Sequence, residues 1–395
     1  MSAFLSQTAA VIKMNLLSLP RRIWMSLAMI LASAVVVAIL LAFLAMARGF
    51  EVTLNSAGSD DVAVFLRQGS AAELNSTVTR EQINLIETIP GVSKDSTGGV
   101  VSPELYVIVD GIKKTTQTEA NIPLRGIDEN GMQMRQNFEI IKGRTFTPGT
   151  NEMIVGRGLI QEFDGFDLNQ EVRFGKNVWK VVGVFSTGGN VFESELWADL
   201  KVIQSLYNRG STVQVVRAQM ESTEKLEDIK AFVDKEPRLN LDVETEKDYF
   251  ATQSQSLSYM ALFGRIISTV MALGALAGAL NTMYTSVADR SKEIATLRTI
   301  GFSNSSAFVG TVVESLALAA IGGVIGSVMA FLLFDGMNAS TLGGSFTQVV
   351  FSFKLTGDLF AQGINMALII GFLSGVFPAW RAAKMPVLLA FRSEH

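Results

Sequence analysis

Residues 23–47, IWMSLAMILASAVVVAILLAFLAMA, run for 25 positions without a charge. The hydrocarbon core of a bilayer is roughly 30 Å thick, and about 20 helical residues cross it. Three further apolar runs, near 261–285, 306–334 and 359–380, are also long enough. In lipid every backbone amide must find its partner within the segment, so each run is expected as a helix. Ala45-Met46-Ala47 resembles a signal-peptidase site. A signal peptide's apolar region is only about 7–15 residues, however, so the first run is read as a span.

Composition agrees. Of 395 residues, 18% are charged, where soluble chains carry about 25%. The net charge of −4 gives no nucleic-acid footprint. There is no Cys, and the only His is the final residue, His395, so a Ser-His-Asp triad or a multi-His metal site is effectively excluded. No catalytic role and no metal are expected.

Positive charge in short loops sets orientation. Lys13, Arg21 and Arg22 precede the first span, Arg290, Lys292 and Arg298 follow the second, and Arg381, Lys384 and Arg392 follow the fourth. The loop 335–358 carries only Lys354. Both termini are therefore expected in the cytoplasm. The partition is an N-terminal amphipathic lead (1–22), span one (23–47), an extracytoplasmic α+β domain (48–257), span two (258–285), a cytoplasmic segment (286–304), span three (305–334), a short outer loop (335–358), span four (359–380) and a tail (381–395).

Within the outer domain, DVAVFLR (61–67), VVSPELYVIVDGI (100–112), NEMIVG (151–156), NVWKVVGVF (177–185) and STVQVVRAQM (211–220) read as strands. TREQINLIETI (79–89), LWADLKVIQSLYN (196–208) and STEKLEDIKAFVDKE (222–236) read as helices, the last opened by Ser222. Strand–helix–strand units at 61–112 and 211–246 predict a split βαβ sandwich, with an insertion at about 121–205. The domain's acidic and basic residues are interspersed, as on a solvated surface, and name no cargo.

Small residues four apart recur in every span: Ala34, Ala38 and Ala42; Gly274 and Gly278; Gly322 and Gly326; Gly371 and Gly375. Such spacing lets helices approach closely in lipid and predicts a packed bundle or dimer. Arg265, near the outer end of span two, reads as an anchor that snorkels to the interface. Glu314 lies about 13 Å into span three. A carboxylate at that depth must face a protein partner or a cavity. A structural hydrogen bond and a role in moving substrate or protons both fit.

The segment DRSKEIATLRTIGFSNSSA (289–307) packs charge between two apolar runs. Ile294, Leu297 and Ile300 form one apolar stripe. Arg290, Lys292 and Glu293 make a polar first turn. Gly301 suits the left-handed position after a helix, and Ser303 or Asn304 can cap span three. A mixed-charge helix with an apolar stripe is what a docking surface for a soluble partner needs.

NTMYTSVADRSKEIATLRTIGFS (281–303) resembles the signature of MacB/FtsX-type ABC transporter permeases, the type VII fold. The match falls on Asn281, Met283, Val287, Arg290, Glu293, Ile294, Leu297, Arg298 and Gly301. FPAWRAAKMPVLLAFR (377–392) is similar to the family's closing pattern through Pro378, Arg381, Ala382, Ala383, Pro386, Val387, Ala390 and Arg392. ESLALAAIGGVIG (314–326) resembles its third span. GRTFTPGTNEMIVG and VVGVFSTGGNVFESELWADL resemble stretches of its periplasmic domains.

The resemblance implies four transmembrane helices and a periplasmic core with Porter-like and Sabre-like parts. It implies an exporter permease of the bacterial inner membrane that carries the motion of two ATPase subunits outward. Its partners would be that ATPase, a second permease copy or a related permease, the bilayer, and in efflux systems a periplasmic adaptor. Arg290, Glu293, Ile294, Leu297, Arg298 and Gly301 are then the expected ATPase contact. ATP and Mg would be bound by the partner: no G-x-x-x-x-G-K-[ST] loop occurs here, since Gly175-Lys176 is followed by Asn177 and position 170 is Gln170. FtsX-like signalling to cell-wall hydrolases, and lipoprotein release of the LolC/LolE kind, are the alternative uses of such a chain.

Overall fold

Long apolar runs fold here as long helices. The computed structural model describes residues 2–96, 98–255, 258–342 and 348–384. Two compact units divide the chain. The first takes residues up to 48, 259–336 and those from 354 on. It contains an N-terminal helix (Ser2–Ser18), a tight turn (Leu19–Arg22), most of span one (Ile23–Asn55) and of span two (Ser258–Asp289), a connecting helix (Ser291–Thr299), span three (Asn304–Phe334) and span four (Gly357–Lys384). Four of these helices are long and apolar enough to cross a membrane. The helix of span one continues well past residue 47. Pro386, Val387, Ala390 and Arg392 of the closing pattern, and His395, lie outside the described residues.

Close approach in this unit depends on glycine. A Cβ on Gly322 would lie 2.6 Å from the Ile30 carbonyl oxygen, and one on Gly326 would strike the carbonyl of Ala34. A Cβ on Gly371 would lie 2.5 Å from that of Ala319, and one on Gly375 would strike Ser315 Oγ. Spans one and four therefore seat against span three through these positions. Gly274 and Gly278 differ: nothing among the described residues lies within 4 Å of a Cβ added there. The same helix exposes Phe263, Val270 and Leu273.

The second unit, residues 49–258 and 337–353, is the α+β domain. Ten strands form one sheet: β1 (Val62–Arg67), β2 (Val101–Ile112), β3 (Glu119–Ile127), β4 (Glu139–Gly143), β5 (Glu152–Gly156), β6 (Glu171–Phe174), β7 (Asn177–Ser186), β8 (Leu196–Asp199), β9 (Val215–Gln219) and β10 (Leu241–Thr245). Their order is β10-β1-β9-β2-β3-β8-β5-β7-β4, with β6 on β7.

The first four strands in that order, with helices Arg80–Ile86 and Leu226–Lys235, make an antiparallel split βαβ lobe. Thr79 starts the first helix with a capping box through Gln82. Its core gathers Phe65, Ile86, Val216 and Ile229. The second helix begins at Leu226, and Ser222 makes no side-chain cap.

The second lobe mixes parallel and antiparallel pairs around Trp179, Phe163 and Leu196. Strand β2 belongs to both lobes: Val101–Glu104 pair with β9 and Leu105–Ile112 pair with β3. Residues 196–208, expected as helix throughout, split into β8 and a helix Leu200–Leu206. Strand pairing on both sides of Leu196–Ala198 overrides the helical pattern, and Asp199 caps the helix by accepting from Val202 N.

Two further findings depart from the sequence reading. The outer loop 335–358 contains a hairpin, β11 (Asn338–Leu342) and β12 (Gln348–Ser352). Val350 enters the second core, and Val350 N donates to Ser194 Oγ at 2.9 Å. The charges of this domain are also not all solvated. Glu73, Glu104, Arg125, Arg135, Glu195, Arg217 and Glu246 are each at most 5% exposed and bond one another where the lobes meet. Their partners come from elements far apart in sequence, so linear spacing could not reveal them.

Candidate functional site: the segment between spans two and three

Asp289 ends the helix of span two, and Arg290 is the break before the connecting helix. Arg290 is 3% exposed. Its Nη1 donates to Glu314 Oε2 at 2.9 Å, its Nη2 to Asn15 Oδ1, and its Nε to Glu293 Oε2 at 3.3 Å. One guanidinium thus joins the N-terminal helix, the connecting helix and span three. Glu314 is also 3% exposed, so its charge is met by Arg290 within the chain.

The connecting helix stops at Thr299, and Gly301 takes φ +107°. That backbone suits glycine and reverses the chain within a few residues. Ser303, rather than Asn304, is the N-cap of span three and accepts from Ser306 N at 3.1 Å. The N-terminal helix lies along this turn. Gln7 Nε2 donates to the Gly301 carbonyl, Ser303 N donates to Gln7 Oε1, and Thr8 Oγ1 donates to Ser306 Oγ at 3.2 Å. Arg22 Nη1 donates to Ser286 Oγ at 2.9 Å, tying the tight turn to the end of span two.

Burial divides the six residues expected at a partner contact. Ile294 packs against Val287 and Ala307, and both Ile294 and Arg290 face inward. Neither has surface left for a partner. Glu293 keeps a side chain 56% exposed, and Leu297 and Arg298 are half-buried. Gly301 is exposed, and so is Ile300, at 72%. The stripe Ile294–Leu297–Ile300 therefore turns from core to surface along the helix. Ile300, which the family resemblance does not place at the contact, is its most exposed member, and its place in the stripe is the sequence signal for it.

In the outer unit, the chemistry concentrates at the junction of the lobes. Glu104, at the point where β2 changes partners, accepts from Arg125 (2.7 Å), Arg135 (2.7 Å) and Arg217 (2.6 Å). Arg125 and Arg217 also reach Glu73, and Arg217 Nε reaches Glu246 Oε1 at 2.8 Å. Burial pushes the Glu73 carboxyl up, but Arg125 and Arg217 outweigh it and hold it at about 2. Burial likewise opposes ionisation of Glu104, and its three arginines keep it below the usual carboxylate range. Arg135 lies over the Phe192 ring at 4.2 Å, while its Nε and Nη1 have no hydrogen-bond partner among the described residues. Burial lowers its pKa.

A four-helix membrane unit with an α+β domain between its first and second spans is a permease-like architecture. Comparison with known proteins agrees. Residues 25–235 match the MacB-like periplasmic core domain, and residues 265–387 match the FtsX-like permease C-terminal region. The chain belongs to the MacB/FtsX-type ABC transporter permeases. It is 21% identical over 352 residues to an ABC transporter permease of Methanocaldococcus jannaschii, covering 85% of each chain. It is 24% identical to the ABC transporter permease YknZ of Bacillus subtilis, covering 70% of this chain and 72% of that one. It is also 24% identical to the macrolide export ATP-binding/permease protein MacB of Chlorobaculum tepidum, over 92% of this chain and 58% of that protein.

Proposed function

We propose that this permease works in an exporter, with the segment 289–303 seated on a separate ATPase that binds ATP and Mg. The helix break at Arg290, the glycine turn at Gly301 and the exposed Glu293 and Ile300 between two spans carry this reading. Glu293, Leu297, Arg298 and Ile300 form the contact, and Gly301 sets the turn. Lys and Arg flanking the spans favour cytoplasmic termini in the inner membrane. Two permease copies, or this chain and a related permease, would meet two ATPase copies. Motion of the ATPases then reaches the outer domain through stiff helices, where substrate or an adaptor is handled.

Pull-down of the tagged chain from detergent-solubilised membranes, with partners identified by mass spectrometry, tests this. An ABC ATPase at about equal stoichiometry supports the reading; its absence even after crosslinking overturns it. An accompanying adaptor would point to efflux, a lipoprotein to extraction and a hydrolase to signalling.

A further inference from the structure

We infer that Arg290 is the joint that makes the connecting helix, the N-terminal helix and the start of span three move as one piece. Arg290 is thus a positioning residue for the docking surface rather than part of it. The inference rests on the reading that this segment docks an ATPase, but its geometry stands apart from that reading.

Three observations carry it. The chain breaks its helix at Arg290, where a hinge between span two and the connecting helix would otherwise lie. The guanidinium is withdrawn from solvent and spends its donors on three different elements, through Asn15, Glu293 and Glu314. Asn15 and Glu314 are each 3% exposed, so a displacement that opened the joint would leave buried polar groups unpaired. Opening the joint therefore carries the penalty of unpairing buried charged and polar groups.

Packing beside the pair repeats the same connection. A Cβ on Gly310 of span three would lie 2.5 Å from Val11 Cγ1 of the N-terminal helix. Thr8 and Gln7 reach Ser306 and the 301–303 turn one and two turns earlier. The face that the N-terminal helix buries is the row Thr8, Val11 and Asn15, while Leu5 and Leu17 point outward at 61% and 70% exposure. That helix is held to span three by polar contacts, which fix its register, and leaves apolar side chains outside, as a helix lying at a membrane surface would. A force applied to Glu293 or Ile300 thus enters span three and the N-terminal helix together, through Arg290.

The chain has no Cys, so introduced thiols can be labelled without a background. Spin labels at Ala10→Cys and Thr296→Cys, both exposed, report the distance between the N-terminal and connecting helices. The sample is the full chain in nanodiscs with its copurified ATPase, without nucleotide and with ATP trapped. The labelled but otherwise unaltered chain should hold one narrow distance in both states. Arg290→Met and the isosteric Glu314→Gln should retain the ATPase, broaden that distance, and lower the complex's ATP turnover about ten-fold. The exchanged pair Arg290→Glu/Glu314→Arg should recover the narrow distance and the turnover only in part: the buried pair and the bond to Asn15 can re-form, but a glutamate at 290 meets the like charge of Glu293.

If Arg290→Met does not insert, Glu314→Gln and the exchanged pair still decide the matter. Narrow distances and full turnover in Glu314→Gln would overturn the joint while leaving the docking reading intact. Loss of the ATPase from properly inserted variants would also overturn it, because Arg290 would then be a contact. If the unaltered chain recovers no ATPase, the docking reading fails, and the nucleotide-free distances alone judge the joint.

Discussion

Arg290 and Glu314, 24 residues apart, are both almost fully buried and meet at 2.9 Å. The arginine comes from the break after span two, and the glutamate comes from the third span. Each accounts for the other. The arginine would have no place inside an apolar bundle without the carboxylate, and the carboxylate would be too costly in span three without the arginine. Removing one partner of a buried pair is far more damaging than replacing both.

Glu314→Ala should therefore destabilise the helical unit by about 3–5 kcal/mol, whereas Arg290→Met/Glu314→Leu should restore part of the loss, the buried Asn15 amide remaining without its arginine. Thermal unfolding of the purified chain in detergent measures both. Equal damage from the single and double variants would show that the pair itself, and not an orphaned charge, stabilises the unit.

The docking surface gives a second prediction. Glu293→Arg/Leu297→Asp should abolish recovery of the ATPase while membrane insertion stays normal. Ile300→Asp should have the same direction, since that side chain is 72% exposed and its replacement costs no core packing. Quantitative mass spectrometry of the pull-down, set beside the amount of inserted chain, reads the effect. Undiminished ATPase stimulation by the double variant in proteoliposomes would contradict the contact.

Glycines of the bundle should differ sharply in tolerance. Gly371→Leu would force its side chain into Ala319 and should cost about 1–3 kcal/mol or more. Gly274→Leu meets only open space within the described chain and should leave thermal stability nearly unchanged. If Gly274→Leu alone altered the oligomeric state on size-exclusion chromatography, the open face of span two would be a seat for another chain.

The buried junction of the outer domain predicts a response to acid. Glu73 sits at about 2 in the folded chain, below its ordinary 4.5, so it stabilises the fold above that ordinary value. The contribution falls as pH drops through the window between them and is gone below about 2. Glu104, also lowered, acts in the same direction. The outer domain should keep its near-ultraviolet signal from the buried Trp179 and Trp197 at pH values where ordinary surface carboxylates are protonated. Glu104→Ala should shift that loss to higher pH and cost about 3–5 kcal/mol, because it strips Arg135 of its carboxylate hydrogen bonds and takes one carboxylate from Arg125 and Arg217.

The sequence made the spans readable because a run of 25 uncharged residues has few alternatives in water. The split βαβ lobe was readable for a similar reason: its strands and helices have distinct periods, although the start read at Ser222 makes no cap while the capping box at Thr79 and Gln82 was not read. What escaped is nonlocal. Glu104, Arg125 and Arg217 look like ordinary surface charges along the chain, and only the sheet order β9-β2-β3 brings them together. The strand pair β11–β12 reads as a loop between spans, since two short strands gain their stability from the core that Val350 enters. The apolar stripe 294–300 was visible, but its turn from buried Ile294 to exposed Ile300 depends on how the helix packs against Val287 and Ala307.

The central claim is that residues around Ile300 touch an ABC ATPase. The most direct test uses the cysteine-free chain with one thiol introduced as Ile300→Cys, and a control with Lys235→Cys in the outer domain. A thiol-reactive crosslinker is applied to native membranes before any detergent. The account predicts an adduct at position 300 that contains an ABC ATPase, and none at position 235. No ATPase adduct at 300, or equal adducts at both positions, would contradict it.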